Sequence, residues 1–230
     1  LLYRSYYSPG TRSLKTSTDI LSGGFFGFIR SYITLRSRFP KSHFIFCFDS
    51  GASWRNKVYP AYKSHHPPGT LEGFDLQLED LKTFICALGI QTFIQFGLEA
   101  DDLISVCACE WVASVKDGTA VIVSSDRDFF QLVSEKISCY DDRAKTFYGP
   151  AEVEAKTGVK PKHIVNYKAL LGDVSDNISG VYGYGPKKAA LYAKHSHPNE
   201  YLDADELPVF YRNIKLICLP QSLGELGVHL

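Results

Sequence analysis

The 230-residue chain contains no methionine, only two tryptophans and no net charge, with 25 basic residues against 25 acidic ones. Without an initiator, a chain that begins at Leu1 is expected to be a fragment or a processed product. No uninterrupted apolar run approaches the roughly 18 residues that a membrane span needs. The first residues do not form a signal peptide either. The six cysteines include no CxxC pair, and Cys107 and Cys109 stand too close for an ordinary zinc pair. Free thiols in a reducing, cytoplasmic setting are therefore expected. A hydrophobic share of 45% with a mean hydropathy of −0.10 excludes a disordered chain. The length suits one compact domain, or a core with a small appendage, able to bury its own apolar side chains. Zero net charge ordinarily argues against a nucleic-acid partner, so where the acids sit decides that point.

Hydrophobic patterning shows no repeat and no low-complexity tract. Ile20 to Arg36 is apolar at mixed helical spacing, and His43 to Phe48 reads as a buried strand. Trp54 to Gly69 is irregular, basic and aromatic, closing on Pro67-Pro68-Gly69. Phe74, Leu78, Leu81, Ile85 and Leu88 recur at helical spacing, and Gly89 ends that helix. Gln91 to Phe96 is a second strand, Leu103 to Trp111 a helix face, and Ala120 to Val123 a third strand followed by a short helix through Leu132. Alternating strands and helices predict an α/β fold with a mostly parallel central sheet flanked by helices. After Lys160 the pattern turns helical: Pro161 opens a helix, His163 to Leu171 continues it, and Pro186 to Lys194 follows a glycine-rich turn. Beyond His195 the pattern is weak, and Asn213 to Leu219 reads equally as a strand or a short buried helix.

Each predicted strand is followed by carboxylates. Asp49 comes directly after the first, Glu99, Asp101 and Asp102 after the second, and Asp126 and Asp128 after the third. Sites of open α/β sheets form at the carboxyl ends of strands. Taken singly, such an acid is an ordinary helix cap or first-turn acid. Taken together, six converging carboxylates repel one another unless a cation neutralises them, and all-oxygen ligands favour Mg²⁺ or Mn²⁺. Asp173 and Asp176, in the segment GDVSDN, add a fourth pair. With these eight acids set aside, 25 bases face 17 acids, so the rest of the chain carries about +8. A basic body around an acidic, metal-binding centre suits a phosphodiester. The glycines of Gly180-Val181-Tyr182-Gly183-Tyr184-Gly185, ahead of Pro186, Lys187 and Lys188, fit a helix–hairpin–helix that grips phosphate through backbone N–H groups.

Four ordered segments, FDSGASWRNKVYPAYKSHH (48–66), LEADD (98–102), SSDRDFFQLV (124–133) and LLGDVSDNISGVYGYGPKKAA (170–190), resemble the 5′→3′ exonuclease/flap endonuclease family. That family contains phage 5′ nucleases and the N-terminal domain of bacterial DNA polymerase I. The resemblance implies a PIN-like, resolvase-like core over residues 1–158, with an arch over about 52–72. It implies a helix–hairpin–helix region and tail over 159–230. It places Asp49, Glu99 and Asp101 as first-site metal ligands, Asp126 and Asp128 near or between the metals, and Asp173 with Asp176 at the second site. Asp102 stands behind the ligands. Arg55 and Lys63 become the basic residues that draw the scissile phosphate to the metals. Tyr59 and Tyr62 are placed either to stack on a base or to pack the arch, and His65-His66 lie on its surface. Gly180, Gly183, Gly185, Lys187 and Lys188 become DNA contacts, and carbonyls of Gly180 to Gly185 a K⁺ site.

The expected activity is metal-dependent hydrolysis of DNA, or of RNA–DNA, near a 5′ end, flap or junction, in replication or repair. The expected setting is the cytoplasm of a bacterial or phage-infected cell. Two or more Mg²⁺ or Mn²⁺ ions and a monomeric chain complete the expectation. Family members open with a strand ending in a DGNN- or DTNN-like motif before a stretch like Leu1 to Ser8, so one first-site aspartate is expected to precede this sequence. Two alternatives remain beside the nuclease: a branched-DNA-binding fragment that cuts poorly, and the exonuclease domain of a DNA polymerase I. A PIN-like ribonuclease shares the acid-lined sheet, but the hairpin after GDVSDN argues against it.

Overall fold

The computed structural model describes residues 2–64 and 73–225. In chain order the elements are α1 (Leu2–Tyr7), α2 (Gly23–Arg38), β1 (Ile45–Phe48), α3 (Arg55–Val58), α4 (Phe74–Ala87), β2 (Gln91–Ile94), α5 (Ala100–Ser114) and β3 (Ala120–Val123). They continue with β4 (Ile137–Asp141), β5 (Thr146–Tyr148), α6 (Pro150–Thr157), α7 (Ile164–Leu171), β6 (Gly172–Asp173), β7 (Ile178–Ser179), α8 (Pro186–Tyr192) and α9 (Glu206–Ile217). This is the α/β alternation that the sequence predicts. The expected arch is described as far as residue 64. His65, His66 and the Pro67-Pro68-Gly69 close lie outside the described residues. None of the six cysteines is in a disulfide. Among the described residues no helix is long and apolar enough to cross a membrane.

The described residues form two compact units, one of 2–48 and 73–93, the other of 49–64 and 94–225. In the first unit β1 and β2 are hydrogen-bonded to each other. Its core joins Leu2, Phe28, Leu81 and Ile85, the last two four apart on the buried stripe of α4. Ser22 gives α2 no side-chain cap. Instead Gln77 of α4 reaches across, and its Oε1 accepts the Phe25 N–H at 3.0 Å. β1 is shorter and less buried than its apolar run predicts. Ile45 stays 37% exposed, and Phe46 carries the packing against Phe28. β2 likewise stops at Ile94, ahead of Gly97 with its φ of +84°.

The second unit is built on β3, β4 and β5. β3 pairs in parallel with β4, Ala120 opposite Ile137 and Val123 opposite Tyr140, and β5 closes β4 antiparallel. One core gathers Ile122, Phe129, Phe130, Ile137 and Val153. A second gathers Ala169, Leu170, Val181, Phe210 and Leu216 from α7, the hairpin and α9. The short helix after β3 is a 3₁₀ turn, Arg127–Leu132. Asn213 to Ile217 proves to be the end of α9. It is anchored by the buried Asn213, whose Nδ2 donates to the carbonyls of Ala169 (2.9 Å) and Ser179 (2.8 Å). Thus a segment with little sequence signal is fixed by hydrogen bonds to α7 and β7.

The junction between α7 and β6 needs glycine twice. Gly172 has φ +83° and ψ 178°, a region open essentially to glycine alone. A Cβ on Gly180 would sit 2.3 Å from the Leu171 carbonyl oxygen, and one on Gly172 would sit 2.4 Å from the Gly180 nitrogen. Gly180→Ala is therefore expected to destabilise the chain by about 1–3 kcal/mol, because backbone rather than a yielding side chain meets the methyl group. Urea unfolding checks this, and an unchanged midpoint would contradict the packing described.

Candidate metal centre

Each acid owes its position to a strand end or a helix start. Asp49 follows β1, and its Oδ1 accepts the Ala100 N–H at 2.9 Å. Glu99 is the N-cap of α5 in a capping box whose other member is Asp102. Successive helical residues point about 100° apart, so Asp101 and Asp102 turn to different sides. Asp102 faces inward, 0% exposed. Asp101 faces the charges of Asp126, Asp49 and Glu99. Asp126 caps the 3₁₀ turn by accepting the Asp128 N–H at 2.9 Å. Asp173 lies in β6 and accepts the Ser175 N–H at 2.9 Å. Ligand oxygens of Asp128, Asp173 and Asp176 all lie within 4.8 Å of one another. Seven of the eight acids thus form a continuous electrostatic group, and the eighth turns into the core.

The electrostatics record this crowding. Burial, followed by the charges of Asp126 and Asp49, pushes the Asp101 carboxyl up to about 7. Burial also raises Asp126, with Asp173 adding to it and Lys168 opposing. Asp176 is raised by burial and by Asp173 against the pull of Lys63. Burial works to raise Glu99 and Asp173 as well. Lys63 and Arg55 outweigh it at Glu99, and Lys168 outweighs it at Asp173, so both carboxyls lie below the ordinary range.

Three basic or hydroxyl groups tie the acids together. Lys168, a mid-helix residue of α7 that the sequence pattern does not single out, donates from Nζ to both Asp128 and Asp173. Its ammonium stands where a cation between those carboxylates would stand. Lys63, in the left-handed region at φ +52°, donates to Glu99. Burial works against its charge, but Glu99 and Asp176 hold its pKa above the ordinary lysine value. Its side chain is 36% exposed, so it keeps a face to solvent. The third group is Tyr62, whose hydroxyl contacts Glu99 at 3.0 Å and Asp176 at 3.2 Å.

Two of the expected site residues are buried in this geometry. Arg55 is expected to meet phosphate, yet its residue is 2% exposed and its guanidinium is spent on protein. Nη1 and Nη2 grip Asp102 at 3.0 and 2.7 Å, Nη1 also reaches Glu99 at 2.8 Å, and Nε donates to the Leu216 carbonyl at 2.7 Å. Burial opposes its charge, but Asp102 and Glu99 hold its pKa above the ordinary value. In this structure it holds Glu99 and Asp102. Tyr62 is 4% exposed, so its ring packs the core and offers no face to a base. Tyr59 is partly buried, with the Arg212 guanidinium 4.6 Å over its ring.

In the hairpin the glycines divide by cause. Gly180 is needed for close packing, and Gly183 has φ +76° with open space around it. Gly185 is the N-cap of α8 in an extended conformation. Lys188 lies over the Tyr184 ring at 3.8 Å, while Lys187 is exposed.

Carboxylates at the ends of the strands of an α/β domain, drawn together around two lysines, mark a resolvase-like domain with an acid cluster able to hold a metal ion. Residues 1–158 match the family model of the 5′-3′ exonuclease N-terminal resolvase-like domain, and the chain belongs to that family. The thermostable DNA polymerase I of Thermus filiformis is 38% identical over 191 residues, covering 82% of this chain and 22% of the polymerase. A 5′-3′ exonuclease of Buchnera aphidicola subsp. Schizaphis graminum is 30% identical over 197 residues, covering 84% of this chain and 66% of that protein. The chain spans about a fifth of the length of the polymerase relatives. The fold is shared with the bacteriophage T5 flap endonuclease, solved as a pseudo-enzyme-product complex with DNA and metal ions. The TM-score is 0.69 at 22% identity, covering 84% of this chain and 79% of that one.

Proposed function

We propose that the chain is a structure-specific 5′ nuclease, an exonuclease or flap endonuclease that hydrolyses DNA phosphodiesters with divalent metal. The observation that carries this reading is the meeting of Asp128, Asp173 and Asp176, the first two bonded to the Lys168 ammonium, inside a fold of the 5′-3′ exonuclease family. The donor set fits the group. Every candidate ligand is an oxygen, as Mg²⁺ and Mn²⁺ require. Burial, with the neighbouring carboxylates adding to it, pushes Asp101 up to about 7, and the protein already places one cation among the acids. Asp49, Glu99 and Asp101 would hold one ion, Asp173 and Asp176 another, with Asp126 and Asp128 near or between them. Bound there, such ions supply an activated water and neutralise charge on the leaving oxygen.

The chain's own residues do the rest. Arg55 and Tyr62 hold Glu99 in one rotamer. Lys63, about a third exposed, meets the incoming phosphate. Lys187, Lys188 and the backbone of Gly180 to Gly185 grip the duplex, and the hairpin carbonyls offer a K⁺ site. Residues 1–158 serve as the nuclease core and 159–230 as the helix–hairpin–helix region and tail, a division supported by where the family match ends. Bacterial relatives support work in the cytoplasm during replication or repair. The polymerase relatives favour a second reading, the same chemistry as the exonuclease part of a DNA polymerase I. Release of short products from a labelled 5′ flap in Mg²⁺, with none from a 3′ flap, tests the proposal. Equal cutting of both would overturn its 5′ polarity.

Metal binding is expected to displace a proton. Asp101 keeps its proton up to about pH 7, so divalent affinity falls as pH drops through that value. Calorimetric Mn²⁺ titration at pH 8 and pH 6, in buffers of different ionisation heat, reads both effects. A pH-independent affinity with no proton release would contradict the ligand role of Asp101.

A further inference from the structure

Beside the acid cluster the 3₁₀ turn presents a second, opposite chemistry. A pocket of about 130 Å³ is lined by Ser124, Ser125, Arg127, Asp141, Tyr148 and Lys156, among others. Arg127 and Ser125 flank Asp126 in sequence, so one turn carries an acid of the metal centre and a base and a hydroxyl of this pocket. Consecutive Cα atoms are about 3.8 Å apart, and a nucleic-acid strand advances about 3.4 Å per nucleotide. The two features are therefore within a few nucleotides of each other.

The pocket's donors are unspent. Among the described residues the side chains of Ser125, Arg127 and Tyr148 make no hydrogen bond or ion pair, and the Lys156 ammonium has only the face of the Tyr148 ring, 5.3 Å away. The Ser124 hydroxyl already accepts the Asp126 N–H. The single carboxylate of the lining, Asp141, is turned to its own loop, where Oδ1 accepts the N–H groups of Arg143 at 2.8 Å and Ala144 at 3.0 Å. Two cations and two free hydroxyls around a small, half-open space match a tetrahedral oxyanion. They do not match a metal, which needs acceptors, and the apolar part of the lining, Phe130 and Ala144, offers a base little, since Phe130 is 3% exposed and packed on Tyr148.

We propose that this pocket is a phosphate subsite for the DNA strand held at the metal centre. The proposal rests on the nuclease reading for its substrate, and on the pocket's own donors for its chemistry. The phosphate is either a terminal 5′-monoester or an internal diester, and Arg127 would engage it through its planar fork.

The test is anisotropy of labelled 5′-flap DNA in EDTA, with a 5′-phosphate or a 5′-hydroxyl, over a salt series. It compares the wild-type chain with Arg127→Ala/Lys156→Ala and with Lys116→Ala/Lys136→Ala, which removes equal charge elsewhere. The pocket variant is expected to bind about tenfold more weakly than the control, with a salt slope shallower by about one to two. Loss confined to the 5′-phosphate flap assigns a terminal monoester, and equal loss on both flaps assigns an internal diester. Wild-type affinity and slope in the pocket variant, or the same loss in the control, overturn the proposal. If the wild-type chain binds no DNA, the nuclease reading fails separately. Amide shifts of Ser125 and Arg127 on adding inorganic phosphate, abolished in the pocket variant, then still support the subsite, and their absence overturns it.

Discussion

Asp173→Asn is expected to lower cleavage of a 5′ flap by at least about 10²–10³-fold, the scale on which one transition-state contact is lost. DNA affinity should stay within about twofold. Asparagine keeps the shape and one acceptor oxygen toward the Ser175 N–H, but removes the charge that Lys168 uses and that a divalent ion would use. Binding is carried elsewhere in this account, by the hairpin and the basic surface. Single-turnover cleavage in Mg²⁺ and anisotropy in EDTA separate the two quantities. Undiminished cleavage by the purified variant would remove Asp173 from the metal centre, and a matching loss of affinity would make it a binding residue instead.

Arg55→Ala is expected to cost about 3–5 kcal/mol of stability, since it leaves the fully buried Asp102 charge without its partner. Arg55→Lys should recover little, because an ammonium cannot make the paired contacts to Asp102 while also reaching Glu99 and the Leu216 carbonyl. The double change Arg55→Met/Asp102→Leu should regain most of the stability, as buried pairs replaced by apolar side chains often do. Its cleavage should still fall, because Glu99 loses the contact that fixes it. Urea unfolding beside flap cleavage reads the split. A double variant as active as the wild type would show that Arg55 acts through stability alone.

The acids were legible because each follows a sequence event that local physics controls. Asp49 and Asp126 lie just past an apolar run, Glu99 and Asp101 open an amphipathic helix, and Asp173 sits where glycine ends one. Asp102, which the family resemblance places behind the ligands, is fully buried. What escaped were roles set by contacts distant in sequence. Lys168 looks like any basic residue on an exposed helical turn, and only the approach of α7 to the 3₁₀ turn brings it to Asp128. Arg55 and Tyr62 read as a basic, aromatic surface, yet both are buried because Asp102, Glu99 and Asp176 give their polar atoms partners inside. β4 and β5 escaped for a related reason. Ser138 and Asp141 interrupt the apolar alternation, and it is pairing with Ala120 to Val123 that makes Ile137 to Asp141 a strand. The end of α9 was ambiguous because its decisive feature is one buried asparagine.

The central claim is that the carboxylate cluster is a metal centre in which Lys168 stands in for a cation. Anomalous diffraction from crystals soaked in Mn²⁺ above pH 7 tests it most directly. The account predicts a peak among Asp128, Asp173 and Asp176, a second beside Asp49, Asp101 and Glu99, and Lys168 withdrawn from Asp173. Crystals that show no peak at these carboxylates, with Lys168 still paired to Asp128 and Asp173, would contradict it.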